Sequence, residues 1–226
     1  MSYTLITANR NYSSWSLRPW FLLKALGIAF VDRIEEFRAT VNTGFEAFSP
    51  TSRVPVLIDD KRTVYDSLAI VMYLAERHEG VWPADPDARA WAQCATAEMH
   101  SGFDALRRDC TMNVGVRVCS KPMSDQLRVD IARLRGLLEQ GLDCFGGPWL
   151  AGNTITAADA FFAPVAWRVR TYDLQVGAAS PWVDRMIAHP AMQFWEAQAI
   201  DESWREAEHE AELFACGDVV ADYRRQ

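Results

Sequence analysis

The chain has 226 residues, half of them hydrophobic, which is enough for one large domain or two modest ones around a sizeable core. Its formal net charge of −7 at pH 7 excludes a general nucleic-acid binder, because no surplus of basic residues exists to neutralise phosphates. We also expect no membrane protein, since the longest apolar runs are far shorter than a spanning helix, and no secretory signal, since the amino terminus lacks the basic-then-apolar order of one.

A polar, hydroxyl-rich turn lies between the first predicted strand and the first predicted helix. The residues Tyr3–Ala8 predict a buried strand, and residues 17–27 predict a helix that ends on glycine. Pro19 is tolerated only in the first turn of a helix, so we expect this helix to begin between Ser14 and Arg18. Three serine hydroxyls then lie among unpaired N–H groups, where an anionic ligand or a thiolate is stabilised. The alternative is that one serine merely caps the helix.

The next predicted elements complete a small α/β unit. Residues 30–37 predict a second strand, parallel to the first because a helix connects the two. A looser stretch over residues 40–53 carries one short helical segment, and residues 54–59 and 62–65 predict a tight hairpin. Pro55 cannot donate to a sheet ladder, so it belongs at a strand start or edge. A cis Val54–Pro55 bond there would expose the Val54 backbone to a ligand.

A second polar helix start follows the hairpin. Asp66 and Ser67 precede residues 68–78, whose apolar positions recur with helical spacing. The order β-α-β-loop-β-β-α, with a serine-rich first helix start and an Asp-Ser start of the later helix, is the outline of a thioredoxin-like domain.

Beyond residue 79 the pattern becomes helical. Residues 79–87 have the composition of a linker, and no strand signal follows them. The predicted helices cover residues 86–110 with Asp85 as cap, 124–145, a core helix after Thr156, 181–188 and 190–210. Thr156 and Asp159 fit a capping box, so we interpret Asp159 as structural rather than catalytic. The polar tail after Cys216 is expected to fray.

Cysteine and histidine usage limits the possible chemistry. The five cysteines form no C-x-x-C pair, which suits free thiols in a reducing cytoplasm. The four histidines lack metal-ligand spacing, so we expect no metal site.

Four segments, in this order, resemble motifs of the cytosolic glutathione transferase family, and the resemblance extends over nearly the whole chain. Residues 13–18, Ser-Ser-Trp-Ser-Leu-Arg, resemble the serine-containing active-site turn of bacterial members of the zeta and theta-like kind. Residues 52–57 resemble the cis-proline segment, residues 66–70 the acidic-plus-serine motif, and residues 150–159 the folding cap. The zeta turn carries a cysteine where this chain has Trp15, which argues against maleylacetoacetate isomerase activity.

The resemblance implies a fold and a function. It implies an N-terminal thioredoxin-like, glutathione-binding domain over residues 1–80, a linker over 81–85, and an all-helical domain over 86–226 that contributes the electrophile site. The implied function is a cytoplasmic, homodimeric glutathione transferase of detoxification, which conjugates or exchanges glutathione, its co-substrate, at an electrophilic carbon of a small hydrophobic substrate. The alternatives are a non-catalytic glutathione-binding or protein-interaction module of the same fold, and a glutathione-dependent isomerase.

The resemblance also assigns roles to particular residues. Ser14, and next Ser13, would stabilise the glutathione thiolate through a hydroxyl. Ser67 would bind the γ-glutamyl carboxylate at a helix start, and Asp66 the neighbouring ammonium. Arg53 either approaches the glycyl end of glutathione or is a solvated loop residue. The residues implied in glutathione binding are Arg53, Val54, Asp66 and Ser67.

The implied electrophile site lies along and after the first helix of the back half. Its residues are Met99, His100, Phe103, Arg107, Met112 and Asn113. Mixed aromatic, methionine and polar side chains suit a small hydrophobic electrophile. Met99 and Phe103 are four residues apart, which fits a buried core stripe as the alternative for both. For His100 the alternative is an ordinary helix histidine.

Overall fold

The computed structural model of the chain describes residues 3–37 and 44–225. The front half contains β1 (Tyr3–Ala8), α1 (Ser14–Ala25), β2 (Phe30–Glu35), β3 (Val56–Asp59), β4 (Arg62–Val64) and α2 (Ser67–Ala75). The back half contains α3 (Pro86–Ser101), α4 (Asp104–Asp109), β5 (Val116–Ser120), α5 (Asp125–Phe145), α6 (Ala157–Tyr172), α7 (Ser180–Ala188), α8 (Pro190–Asp201), α9 (Ala207–Cys216) and β6 (Gly217–Asp222). A short 3₁₀ turn, Gly177–Ala179, precedes α7.

The front half is a four-stranded mixed sheet with the order β2-β1-β3-β4. β1 and β2 are parallel because α1 connects them, whereas β1 with β3 and β3 with β4 are antiparallel. Pro55 stands directly before β3, where no ladder bond is required of it, and the Val54–Pro55 bond is cis. Asp66 caps α2 by accepting a hydrogen bond from the Leu68 N–H at 3.1 Å. This topology confirms the expected thioredoxin-like front.

The prediction that Pro19 lies in the first turn of its helix is wrong. α1 begins at Ser14, the earliest point of the expected interval, and Pro19 is its sixth residue. The missing N–H of Pro19 therefore removes a bond to the Trp15 carbonyl, inside the helix. The early start places the serine-rich turn itself at the N-terminus of α1, with Ser13 as N-cap residue.

The looser stretch contains no helix among its described residues, 44–53; its first four residues lie outside the description. Instead the Phe45 carbonyl accepts hydrogen bonds from the N–H groups of Phe48 and Ser49, which forms a single turn. The Phe45 side chain is buried.

The single helix predicted over residues 86–110 is divided in two. α3 ends at Ser101, and Phe103 takes a left-handed conformation with φ of 62° before α4 begins. The Arg107 guanidinium donates hydrogen bonds to the carbonyls of Gly102 and Met99, which the end of α3 leaves without helical partners. A long-range cap from the next helix therefore stabilises a break that the apolar spacing did not reveal.

Two further expectations for the back half are corrected. The helix predicted over residues 190–210 is interrupted after Asp201 and resumes at Ala207. The tail after Cys216 does not fray, because Gly217–Asp222 pairs antiparallel with β5. The other elements of the back half are helices, as expected, and β5 and β6 add a two-stranded sheet to them.

The core of the back half is α6, which is buried along nearly its whole length and packs against α1 and α3. Asp159 completes the expected capping box with Thr156 and also accepts hydrogen bonds from the Leu150 N–H at 2.9 Å and Trp182 Nε1 at 3.0 Å. Among the described helices, none is both long and apolar enough to cross a membrane.

Candidate active site

A cleft of about 660 Å³ opens beside the serine-rich turn. Its walls come from that turn, from the segment before β3, from the N-terminus of α2, from the end of α3 and from α9. Six residues expected at a site line this one cleft: Ser13, Arg53, Val54, Asp66, Ser67 and His100. Other residues of its wall include Tyr12, Trp15, Phe37, Phe45, Tyr65 and His209.

The N-terminus of α2 presents an unsatisfied hydroxyl to the cleft. Ser67 is fully buried, and its Oγ has no hydrogen-bond partner among the described residues. The neighbouring Asp66 accepts a hydrogen bond from the Leu68 N–H through one carboxylate oxygen, and its side chain is more than half exposed. A buried polar atom without a partner costs free energy, so this position is prepared for a polar ligand.

Hydrogen bonds from the Ser49 side chain fix the backbone of the segment before β3. Ser49 Oγ accepts a hydrogen bond from the Arg53 N–H at 3.1 Å and donates one to the Arg53 carbonyl at 2.6 Å. This fixes the backbone that leads into Val54, while the Arg53 side chain is exposed.

His100 faces the cleft from the end of α3. Its Nε2 lies 3.4 Å from Asp66 Oδ2, so it links the front and back halves across the cleft. Burial lowers the pKa of His100, and the neighbouring charges of Arg18 and Arg107 lower it further against the opposing effect of Asp66. The neutral imidazole is thus favoured.

The two candidate serines face different spaces. Ser13 Oγ lines the cleft and donates a hydrogen bond to Ser16 Oγ at 2.7 Å, and Ser16 Oγ also accepts one from the Ala8 N–H. Ser14 lines a neighbouring cavity of about 170 Å³, and no hydrogen bond joins its hydroxyl to the described residues. Tyr12, Trp15 and His209 line both the cleft and this smaller cavity, so the two spaces adjoin at the turn.

The smaller cavity receives only part of the expected electrophile set. Its lining consists of Tyr12, Ser14, Trp15, Arg107, Thr111, Met112, Arg168, His209 and Glu212. Met99 and Phe103 line neither space and are buried in the hydrophobic core, in line with the alternative for both. Asn113 is buried too, and its carbonyl accepts a hydrogen bond from Thr171.

The turn at residues 9–13 is fixed by the carboxyl-terminal part of the chain, which sequence reasoning missed. The Glu202 carboxylate accepts hydrogen bonds from the N–H groups of Arg10 at 2.6 Å and Asn11 at 3.3 Å. Tyr12 donates to Glu210 at 2.7 Å, and burial together with that bond raises the Tyr12 pKa. These contacts orient the serines that follow.

His209 was also missed, although it borders both spaces. Its ring stacks on Tyr12 with centroids 4.9 Å apart and lies at the same distance from Phe37. Its Nδ1 is 2.7 Å from Glu206 Oε2. Burial tends to raise the pKa of Glu206, but the hydrogen bonds from His209 outweigh burial, so the pKa of Glu206 is lowered. Glu206 thereby fixes the ring and leaves Nε2 unused. The only sequence signal for this pair is a Glu three residues before a His, and that spacing is too common in ordinary helices to indicate a site.

No three His, Cys, Asp or Glu side chains in residues 3–37 and 44–225 are grouped so as to hold a metal ion. The arrangement thus consists of hydroxyls, a helix N-terminus, guanidinium groups and one oriented imidazole. These groups can bind an anionic ligand and stabilise a thiolate.

Comparison with known proteins identifies two matching family models. Residues 12–77 match the glutathione S-transferase N-terminal domain, and residues 89–198 match the glutathione S-transferase C-terminal domain. Among curated proteins, the probable maleylacetoacetate isomerase of Caenorhabditis elegans is 26% identical, covering 78% of this chain and 83% of its own length. The maleylacetoacetate isomerase of Rattus norvegicus is 24% identical, covering 90% and 94% respectively.

The fold is shared with solved structures at low sequence identity. A glutathione transferase homologue from Burkholderia, solved with bound glutathione, superposes with a TM-score of 0.67 at 24% identity, covering 88% of this chain and 98% of that one. Ure2p in complex with glutathione superposes with a TM-score of 0.64 at 19% identity, covering 85% and 96%.

Proposed function

The chain belongs to the glutathione S-transferase family, and from that premise we propose that it binds glutathione in the larger cleft and directs the thiolate at an electrophilic carbon. The observation that carries the proposal is the buried, unpartnered hydroxyl of Ser67 at the N-terminus of α2. Glutathione is a tripeptide with two carboxylates, one ammonium and one thiol. A site for it needs an anion-binding helix start, a carboxylate and a backbone clamp, and this cleft has all three.

In this proposal each end of glutathione has a partner. Ser67 Oγ and the free N–H groups of α2 bind the γ-glutamyl carboxylate, and Asp66 binds the adjacent ammonium. The Val54 backbone, whose approach is fixed through Ser49, pairs with the cysteinyl backbone. Arg53 takes the glycyl carboxylate as a solvated and therefore weaker contact.

The thiol then lies at the junction between the two spaces, close to the turn. Ser14 is the better hydrogen-bond donor to the sulfur, because its hydroxyl is uncommitted, whereas Ser13 already donates to Ser16. Such a bond favours the thiolate and lowers a thiol pKa that is near 8.5 in water. His209 Nε2, with Nδ1 held by Glu206, accepts the proton that the thiol releases.

A glutathione-dependent isomerase is the second candidate, favoured by the names of the two relatives from C. elegans and R. norvegicus. The two activities differ in stoichiometry. Conjugation consumes one glutathione for each product, whereas isomerisation returns it unchanged. Retention on immobilised glutathione tests binding, and free thiol is then followed during turnover of an activated aryl halide and of maleylacetoacetate. Thiol loss with the halide supports the transferase, and product without thiol loss supports the isomerase. Binding without turnover of either compound would indicate a non-catalytic module.

We further propose a cytoplasmic homodimer, with the boundary of its two domains between residues 81 and 85. The dimer and the location rest on the family, and all five cysteines are unpaired, as a reducing compartment requires. Sedimentation at micromolar concentration should give about twice the 25.5 kDa of one chain. A single species at the mass of one chain would contradict the dimer.

A further inference from the structure

Arg224, which follows β6, is a buried arginine with two carboxylate partners. Its side chain is only 4% exposed. Its Nη1 and Nη2 donate hydrogen bonds to Glu210 at 2.5 Å and 3.1 Å, and its Nε and Nη2 donate to Asp222 at 2.9 Å and 2.8 Å. Burial acts to lower the pKa of Arg224, but the hydrogen bonds to Asp222 and Glu210 outweigh burial, so its pKa is raised. Two bidentate contacts thus fix this guanidinium in place.

The backbone beside Arg224 is bonded to the active-site turn through Gly115. The Tyr223 N–H donates to the Gly115 carbonyl at 2.8 Å, and the Gly115 N–H donates to Asn11 Oδ1 at 3.1 Å. A Cβ atom on Gly115 would lie 2.4 Å from Arg224 Cγ, so this close approach requires a glycine. The Arg224 side chain therefore passes the residue that is hydrogen-bonded to the turn.

Glu210 connects Arg224 to Tyr12. The Tyr12 hydroxyl donates to Glu210 Oε1 at 2.7 Å, and the same oxygen accepts the bond from Arg224 Nη1. Among the described residues, Arg224 is the only cation paired with Glu210 within 4 Å. Without Arg224, the partly exposed Glu210 carboxylate would be free to turn toward solvent and release the phenol, because an ionised carboxylate is strongly hydrated.

Tyr12 in turn supports one face of the His209 ring. The two rings are stacked, with centroids 4.9 Å apart and an angle of 19° between their planes. The hydrogen bond between His209 Nδ1 and Glu206 fixes one edge of the imidazole but leaves the ring able to rotate about that bond. Stacking on Tyr12 restricts this rotation, so the direction of Nε2 depends on where Tyr12 is held.

We propose that Arg224 is a positioning residue of the active site, which acts through Glu210 and Tyr12 to place the His209 imidazole. This inference rests on the proposed function, in which His209 accepts the proton of the glutathione thiol. Arg224 itself touches no reacting atom. Its charge holds Glu210, Glu210 holds the Tyr12 hydroxyl, and the Tyr12 ring sets the plane of the base.

Kinetics with an activated aryl halide test the proposal. Arg224→Gln should lower kcat at pH 7 by about 3- to 10-fold, the size expected for neighbours in one hydrogen-bond network, with glutathione affinity unchanged in calorimetric titration. Arg224→Lys should recover part of the loss, because an ammonium still neutralises Glu210 but cannot form the paired contacts of a guanidinium. The matched control is Arg225→Gln, which removes an exposed arginine that pairs with Asp201 and should keep the wild-type kcat.

A double-mutant cycle separates positioning from a general loss of stability. In a His209→Gln background, Arg224→Gln should lower kcat no further, and the defect of Arg224→Gln alone should shrink above pH ~9, where the thiol ionises unaided. Tyr12→Phe keeps every ion pair of Arg224 and removes only the hydroxyl bound to Glu210, so it should reproduce the loss even if Arg224→Gln folds poorly. An equal loss from Arg224→Gln in both backgrounds, or a full kcat in Tyr12→Phe, would overturn the proposal.

The proton resonances of the His209 ring give a readout that does not depend on turnover. Assigned by their absence in His209→Gln, they should move in Arg224→Gln and in Tyr12→Phe but not in Arg225→Gln, and unchanged resonances in the first two would contradict the proposal. Titration of glutathione into the wild type is scored separately. If glutathione does not bind, the proposed function fails; if it binds and is turned over while Arg224→Gln keeps full kcat, only the positioning role is wrong.

Discussion

Replacing Ser67 by alanine should separate ligand binding from folding, because of where its hydroxyl lies. The hydroxyl is fully buried, lines the cleft and bonds to no described residue. Removing it therefore breaks no bond of the unliganded chain and also removes an unsatisfied polar atom. The thermal midpoint should stay the same or rise slightly. Only the complex with glutathione loses a contact, the one to the γ-glutamyl carboxylate.

The size of the loss follows from the charge on the partner. Hydrogen bonds to charged groups contribute about 1.5–3 kcal/mol, so glutathione should bind roughly 10- to 150-fold more weakly to Ser67→Ala. Calorimetric titration measures the affinity, and a thermal melt on the same sample measures the stability. The free N–H groups of α2 remain, so binding is weakened and not abolished.

Ser124→Ala is the matched control, since it is the same substitution at another helix start. Ser124 Oγ accepts a hydrogen bond from the Leu127 N–H at 3.1 Å and donates one to Asp109 at 2.9 Å. Its loss should cost about 1 kcal/mol, or roughly 2–4 °C in a chain of this size, and leave glutathione affinity unchanged. If Ser67→Ala instead melted early and bound glutathione normally, our reading of the two helix starts would be reversed.

Three further predictions concern the thiol and the core. Ser14→Ala should raise the pKa of bound glutathione's thiol by about one unit, whereas Ser13→Ala should not, as ultraviolet thiolate absorbance against pH would show; two unchanged titrations would assign the thiol to backbone N–H groups. His209→Gln should slow turnover at neutral pH with little change in glutathione affinity, by up to about 30-fold, because a thiol with a pKa near 8.5 is only about 3% ionised at pH 7 without a base. This defect should shrink above pH ~9, where the thiol ionises unaided; a defect that persists there would exclude a base. Burial raises the pKa of Asp159 to about 6, so its proton adds stability that is complete below pH ~4 and lost as the pH rises through 6. Asp159→Asn should remove roughly 3 kcal/mol of that pH dependence, and parallel stability curves for the two proteins from pH 4 to 7 would refute it.

The features that the sequence predicted correctly are those with local causes. The predicted cap Asp85 accepts a hydrogen bond from the Ala88 N–H, and the helix starts predicted at residues 66–67 and at Ser124 have caps of the same local kind, from Asp66 to the Leu68 N–H and from Ser124 to the Leu127 N–H. The capping box of Thr156 and Asp159 spans three residues. Because these contacts are contained in a few consecutive positions, their residue types alone reveal them.

The errors share a different cause, which is a partner far away in sequence. The break between α3 and α4 is stabilised by Arg107, on the helix that follows the break. β6 is a strand because β5 offers it an edge about a hundred residues earlier, although its own residues are polar enough to suggest a free tail. A local pattern carries no information on such partners, so the predicted helix was extended through the α3–α4 break and the tail was expected to fray.

The same distinction between local and distant partners explains why the sequence predicted only part of the site. Its front wall consists of helix starts and a proline segment, all of which have local signatures. The rest depends on Glu202 and Glu210, which hold the serine-rich turn across 191 to 198 residues of sequence. Since Glu202 binds two backbone N–H groups directly before the serines, the direction of the Ser13 and Ser14 hydroxyls is set by the carboxyl-terminal segment as much as by α1. The interruption of the last predicted helix therefore lies at the site, because Glu202 is the residue that ends α8 and its carboxylate reaches the turn from there.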